Sequence, residues 1–278
     1  MHDDLTEAIR TYSERPKEGG IPVITLAATH RLASENGVTP LEIEIAALEA
    51  GVIPLRYQRN IGTVCIDGQL RLLRSCVGVC GLGGLGGYVM EFLARFGIGR
   101  LILADGDVFE ENNLNRQALS TEACLGSPKA ERAAERVSAI NSSLNVITHR
   151  SFLTGADIPE IYGEADVVVD ALDTVSHRLV LEQGCALLGI PMVHGAIAGN
   201  SGQVMTIFPG DPGCKAIYVT GEDRGVEIHE GNPPTTPALV ASIQAQEVVK
   251  IICGGELLRN GFLLIDTSTN LYQFIPLK

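Results

Sequence analysis

The stretch Val77-Gly-Val-Cys-Gly-Leu-Gly-Gly-Leu-Gly-Gly-Tyr-Val89 decides how the chain is read. An apolar run leads into a glycine-rich turn, and the turn leads into a second apolar run. That order is strand, phosphate-binding turn, helix. The spacing Gly81-x-Gly83-x-x-Gly86 is the dinucleotide fingerprint, in which glycines permit a tight turn and let backbone N–H groups approach phosphate closely. By itself the turn fits a nicotinamide or flavin redox enzyme, and it fits equally well an enzyme that grips ATP.

Outward from this turn, strand and helix patterns alternate. Strands are predicted at CVGVCGL (76–82), RLILAD (100–105), NVITHRS (145–151), ADVVVDAL (165–172) and PMVHGAIA (191–198). Their near-continuous apolar character indicates a sheet covered on both faces. The fold class is therefore α/β, a doubly wound, mostly parallel Rossmann-like sheet. Ser127-Pro128 reads as the cap of the helix KAERAAERVSAI. Past GQVMTIFP comes a Gly/Pro/charged crossover loop over about residues 210–234, long enough to be functional. Thr236-Pro237 then opens a helix that is apolar nearly all round, and FLLIDT and LYQFIPL close the chain as strands.

Residues 1–55 read as a helical N-terminal extension, and residues 56–278 as the nucleotide-binding domain. Thr39-Pro40-Leu41-Glu42 is a capping box with proline in the first turn, and Gly51 ends that helix. The helix pair around SENG could be mistaken for a DNA reader. Glu42, Glu44 and Glu49 would meet phosphates with the wrong sign, so an accessory helical cap is the expectation.

The balance of 21 basic and 33 acidic residues, a net −12, argues against nucleic acid as the main partner. No run of about 18 apolar residues suggests a membrane span, and MHDDLTEAIR lacks the layout of a signal peptide, so a cytoplasmic protein is expected. The seven cysteines include no Cys-x-x-Cys pair, which makes zinc an unexpected cofactor.

Asp105 lies about 20 residues past the third glycine, where an acidic side chain bonds ribose hydroxyls. The run Glu111-Asn-Asn-Leu-Asn-Arg-Gln117 and the segment Gly126-Ser-Pro-Lys129 then place an arginine and a lysine within reach of triphosphate oxygens. Hydride transfer has no use for two extra cations there. Asp170 and Asp173 stand at the end of the fourth strand, and for Asp170 a turn or capping role is as good a reading as a ligand role.

GLGGLG, DGD, NLNRQ, SPKA and DALD, in that order, resemble the ThiF/MoeB/HesA family, relatives of ubiquitin-activating enzymes. The resemblance covers roughly residues 55–278. It implies MgATP-dependent adenylation of the C-terminal glycine of a ubiquitin-like or sulfur-carrier protein ending in Gly-Gly, of the kind used in molybdenum or tungsten cofactor or thiamine synthesis. It implies that Gly81, Gly83, Gly84, Gly86, Asp105, Asp107, Asn113, Arg116, Gln117 and Lys129 form the ATP site. Within that set Asp105 would bind ribose, and Asn113, Arg116 and Lys129 would contact phosphates. Asp173 would hold Mg²⁺. Arg56-Tyr-Gln-Arg59 resembles the family's entry segment, so Arg59 is expected to reach into the partner subunit of a homodimer.

Three departures from the family pattern stand out. Cys214 alone marks where a first zinc pair would begin, Thr174 replaces the usual asparagine after Asp173, and HEGNPPTT carries no cysteine for sulfur transfer. A tRNA-modifying adenylating enzyme, a non-catalytic pseudo-subunit and a dehydrogenase remain as alternatives.

Overall fold

The structure, a computed structural model, describes residues 2–15, 20–218 and 227–277. In chain order it runs α1 His2–Tyr12, β1 Val23–Ile24, α2 Leu26–Asn36, α3 Pro40–Glu49, β2 Ile53–Pro54, α4 Ile61–Arg74, β3 Cys76–Cys80, α5 Gly86–Phe96 and β4 Arg100–Ala104. It continues through α6 Lys129–Ile140, β5 Asn145–His149, α7 Ile158–Tyr162, β6 Val167–Asp170, α8 Val175–Leu188, β7 Met192–Ala198, β8 Ser201–Ile207, α9 Glu227–Glu230, α10 Thr235–Cys253, β9 Gly261–Asp266 and β10 Leu271–Pro276.

The main sheet has the order β10-β9-β8-β7-β6-β3-β4-β5. Strands β5, β4, β3, β6 and β7 are parallel, and the order reverses direction between β3 and β6. Such a switch point opens a crevice at the carboxyl ends of the strands. On β3 the period-2 alternation sorts the side chains cleanly. Val77 and Val79 join a core with Val89, Met90 and Leu93 of α5 and with Val240 and Val248 of α10. Cys76 and Cys80 face Tyr162 of α7 and Leu181 and Cys185 of α8. Burying each such aliphatic side chain contributes about 1.5–3 kcal/mol, so both faces must be covered, and the strand reads as continuously apolar.

The half of the sheet beyond β7 is antiparallel. Turn residues explain two of these three pairings, β7–β8 and β9–β10; β8 and β9 are joined instead by the long connection that carries α10. β7 and β8 are joined by only Gly199-Asn200, with Gly199 at φ +54°, and Asn270 at φ +56° ends the turn into β10. Short connections of this kind, two residues between β7 and β8 and four between β9 and β10, make hairpins, whereas a parallel neighbour needs a long crossover.

The N-terminal region is helical as expected, with one addition: β1 and β2 form a short parallel pair. The capping box is present, with the Thr39 hydroxyl accepting from Glu42 N–H at 3.2 Å and the Glu42 carboxylate accepting from Thr39 N–H at 2.7 Å. Tyr57 fastens this layer to the sheet domain. Its hydroxyl donates to the buried Glu44 carboxylate at 3.0 Å and accepts from Asn141 at 2.7 Å. Ser143 donates to the other Glu44 oxygen. Burial pushes the Glu44 carboxyl above its ordinary range, with Arg56 acting against that shift.

The expected Ser127 cap is not formed, and Thr236 does not cap the helix it opens. Ser127 does not cap α6, because Lys129 N–H is already bonded to Asp107 C=O at 3.0 Å. The Thr236 hydroxyl turns away from the α10 terminus and donates to Gly199 C=O at 2.9 Å, tying the helix to the β7–β8 turn.

Candidate active site

At the switch point lies a cavity of about 900 Å³. Its floor is the glycine turn. Gly81 sits at φ +89°, and a Cβ there would lie 2.7 Å from the Ala171 carbonyl oxygen, so only glycine fits. At Gly86 a Cβ would lie 1.8 Å from Gly81 O. Gly83 and Gly84 differ. Their nearest neighbours would be 3.5 and 3.7 Å away, ordinary contacts, and both residues line the cavity. No internal packing demands glycine at either position, whereas close approach of a ligand to the backbone does.

This contrast gives a prediction. Gly86→Ala must displace backbone and is expected to cost about 3 kcal/mol or more, lowering Tm by roughly 6–12 °C. Gly83→Ala should leave Tm unchanged and weaken nucleotide binding about tenfold, a difference of about 1.4 kcal/mol. Thermal melts and calorimetric titration on both variants check it. Equal melting temperatures for the two would contradict the assigned roles.

Asp105 follows β4 directly and lines the cavity. Its Oδ2 accepts from Leu82 N–H at 2.7 Å and its Oδ1 from Asp107 N–H at 2.8 Å, so the carboxylate is clamped to the turn. Burial raises its pKa, against the nearby Lys129. Lys129 is 6% exposed and pairs with the Asp107 carboxylate at 2.9 Å. Arg116, Gln117 and Asp173 also reach the cavity. Arg116 is braced by the Asn112 carbonyl at 2.9 Å and by Asn115 at 3.0 Å, while the buried Gln117 Oε1 has no hydrogen-bond partner. An orphaned acceptor beside Gly83 is suited to a donor from a bound ligand.

Other expected residues lie elsewhere. Asn113 is buried outside the cavity lining, where its Oδ1 accepts from Glu110 N–H at 3.1 Å to close the turn at 111–113. Arg59 is exposed and does not line this chain's own cavity. Asp170 is fully buried under the cavity wall, bonded to His194 at 2.7 Å and 3.6 Å from the Arg178 guanidinium. Its role is internal, which resolves the open reading of this residue. Asp170, His194 and Cys214 cluster as metal ligands can, but Arg178 already supplies the positive charge there. The buried Cys214 thiol is pushed well up by burial and by Asp170 and Glu182, so it is no ready nucleophile. Part of the crossover loop, residues 219–226, lies outside the described residues.

Sequence reasoning missed Phe152, Arg178, Gln203 and Tyr218, which line the cavity. Phe152 is a large aromatic left 67% exposed at the cavity wall, packed over Gly106. Its position just after β5, at the carboxyl edge of a parallel sheet, was the available signal.

Residues 57–278 match the family described as the ThiF family. The chain belongs to the ThiF family. As a ThiF-family member it is an adenylyltransferase. It is 35% identical over 229 residues to the SAMP-activating enzyme E1 of Haloferax volcanii, covering 80% of this chain and 85% of that protein. Against the molybdopterin-synthase adenylyltransferase of Escherichia coli it is 34% identical, covering 81% and 92%. It spans about half the length of relatives such as the Arabidopsis thaliana adenylyltransferase and sulfurtransferase MOCS3, 33% identical over 83% of this chain and 52% of that protein. The solved structure of E. coli MccB with AMPCPP and MccA superposes with a TM-score of 0.67 at 25% identity, over 80% of this chain and 71% of that one. Among the described residues of this ThiF-family chain, no helix is long and apolar enough to cross a membrane.

Proposed function

We propose that this protein adenylates the C-terminal carboxylate of a small ubiquitin-like carrier ending in Gly-Gly, using ATP and releasing pyrophosphate. The single observation that carries the reading is one continuous cavity with two differently built ends. One end holds the glycine turn, Asp105, Arg116 and Lys129, which suit a nucleotide triphosphate. The other end runs over the antiparallel half of the sheet, past Ala196, Ala198 and Gly202, where small residues leave room for an extended glycine tail.

The chemistry follows from that layout. A carboxylate oxygen attacks the α-phosphorus, a new P–O bond forms, and the bond to the β-phosphate oxygen breaks with its electron pair leaving on pyrophosphate. Arg116 and Lys129 offset the charge that gathers on the departing group. Asp173 suits Mg²⁺, since carboxylate and phosphate oxygens are the ligands a hard cation takes. The Thr174 hydroxyl is engaged by His177 Nδ1 at 2.6 Å, so Asp173 would be the ligand from this segment. Bound there, Mg²⁺ would neutralise phosphate charge. Arg59, exposed and away from its own cavity, fits a role in the partner site of a homodimer. The names of the relatives favour molybdenum-cofactor or sulfur-carrier chemistry. In this reading sulfur comes from a separate donor and the protein works in the cytoplasm.

The test is exchange of labelled pyrophosphate into ATP, driven by a panel of small β-grasp proteins ending in Gly-Gly. Exchange is expected with at least one member and is expected to vanish when its terminal glycine is removed. Nucleotide binding with no exchange across the panel, or binding of NAD in place of ATP, would overturn the reading.

A further inference from the structure

Behind the cavity lining at Arg178, Gln203 and Tyr218 lies a buried polar chain that the reaction as described leaves unused. His194 on β7 is completely buried, and its Nδ1 lies 2.7 Å from Asp170 Oδ2. Its Nε2 lies 3.1 Å from the Tyr218 hydroxyl, and the two rings meet edge to face at 5.7 Å. Burial holds His194 below its usual titration range, while Arg178 and His194 hold the buried Asp170 carboxyl down against desolvation. The imidazole is therefore neutral, beside a carboxylate that can only accept. That fixes the tautomer: Nδ1–H donates to Asp170, and Nε2 accepts from the Tyr218 hydroxyl. Gln203 in turn donates to the Tyr218 oxygen at 2.8 Å.

The two ends of this chain hold different parts of the site. Asp170 Oδ1 accepts from Leu172 N–H at 3.0 Å, and Arg178 donates to the Leu172 carbonyl. Both backbone groups of Leu172 are thus held, one residue before Asp173. Arg178 also donates to Gly195 C=O on β7 at 2.8 Å and lies 5.7 Å from the Tyr218 ring. At the other end Tyr218 lies in the first part of the crossover segment, lining the cavity beside Gln203. Packing alone needs none of this polarity. Histidine, aspartate and arginine buried together are costly unless every group is paired, and this pairing is directional.

We propose that His194 is a positioning residue for the transfer, fixing the Asp173 segment through Asp170 and seating the start of the crossover through Tyr218, so that nucleotide and carrier tail are held in register. This rests on the adenylation reading above.

The test uses the full chain, Mg-AMPCPP for nucleotide binding, and the panel member that drives pyrophosphate exchange in the wild type. Tyr218→Phe removes one hydroxyl. His194→Asn keeps a donor toward Asp170 and loses the acceptor for Tyr218, together with the longer 3.3 Å contact from Gln203 Nε2, so both variants break the Tyr218–His194 bond. Each is expected to lower kcat/KM for the carrier about tenfold, the effect of one lost hydrogen bond, with the Mg-AMPCPP Kd within about twofold of wild type. The double variant is expected to be no worse than either single one, since the bond can be lost only once. Should His194→Asn fail to fold, Tyr218→Phe carries the test alone. Unchanged carrier kinetics in Tyr218→Phe, or losses that multiply in the double variant, would overturn the positioning role. Absence of exchange in the wild type would instead overturn the adenylation reading, and the positioning role with it.

Discussion

Asp173→Ala is expected to lower pyrophosphate exchange by about 10²–10³-fold or more while shifting Tm by less than about 2 °C. The magnitude is that of removing one charge-stabilising group from a phosphoryl or acyl transfer site. The small thermal effect follows from position. Asp173 is exposed at the cavity wall, whereas the packing of its segment rests on Asp170, Leu172 and Arg178. Mg-dependent ATP binding should weaken in the variant, and Mg-free binding should not. Wild-type exchange by Asp173→Ala would remove the magnesium role from this residue.

The second large effect is expected from mixing two inactive proteins. Arg59→Ala and Asp173→Ala should each be nearly inactive. If the site is shared across a homodimer as proposed, a heterodimer formed by subunit exchange would have one site with both Asp173 and the partner's Arg59 intact, and one site that lacks both. Random pairing makes roughly half of the dimers mixed, so about a quarter of wild-type sites should return. The motive is geometric: Arg56 and Tyr57 are tied down by Glu44 and Asn141, which leaves Arg59 exposed and outside its own cavity. An arginine acting within its own chain could not be rescued this way. If subunit exchange is demonstrated separately and no activity returns, the trans role of Arg59 is wrong.

Which parts of the site were legible in the sequence depended on whether a residue's role was local. Gly81 and Gly86 announce a strand-turn-helix because the steric demand comes from residues a few positions away. Asp105, Arg116 and Lys129 all follow closely on β4, so their arrival at one cavity was readable from that position taken together with the family resemblance. Asp170 was ambiguous because its partners, Arg178 on α8 and His194 on β7, are assembled only by the fold. Phe152, Gln203 and Tyr218 belong to this second kind, since nothing near them in the chain marks a cavity. The antiparallel half was a different omission. Gly199-Asn200 between two apolar runs is itself a hairpin signal, one that the sequence reading leaves unused. The caps failed for a third reason: at α6 and α10 the terminal groups are occupied by tertiary partners, Asp107 C=O and Gly199 C=O, which outrank local propensity.

The strand order also governs how the molecule can be made. From β3 the chain adds β4 and β5 on one side, then returns to lay β6 on the other, and every later strand pairs with the one synthesised just before it. No segment has to be inserted between partners already joined, so the sheet can grow in the order in which a ribosome delivers it. One cover arrives late. Val193 and Val204 gain Val240 and Val248 of α10 only after both hairpin strands have emerged. A nascent chain paused before Thr235 therefore presents an apolar sheet face still waiting for its cover, and it is in that interval, before α10 emerges, that the chain is most exposed to aggregation.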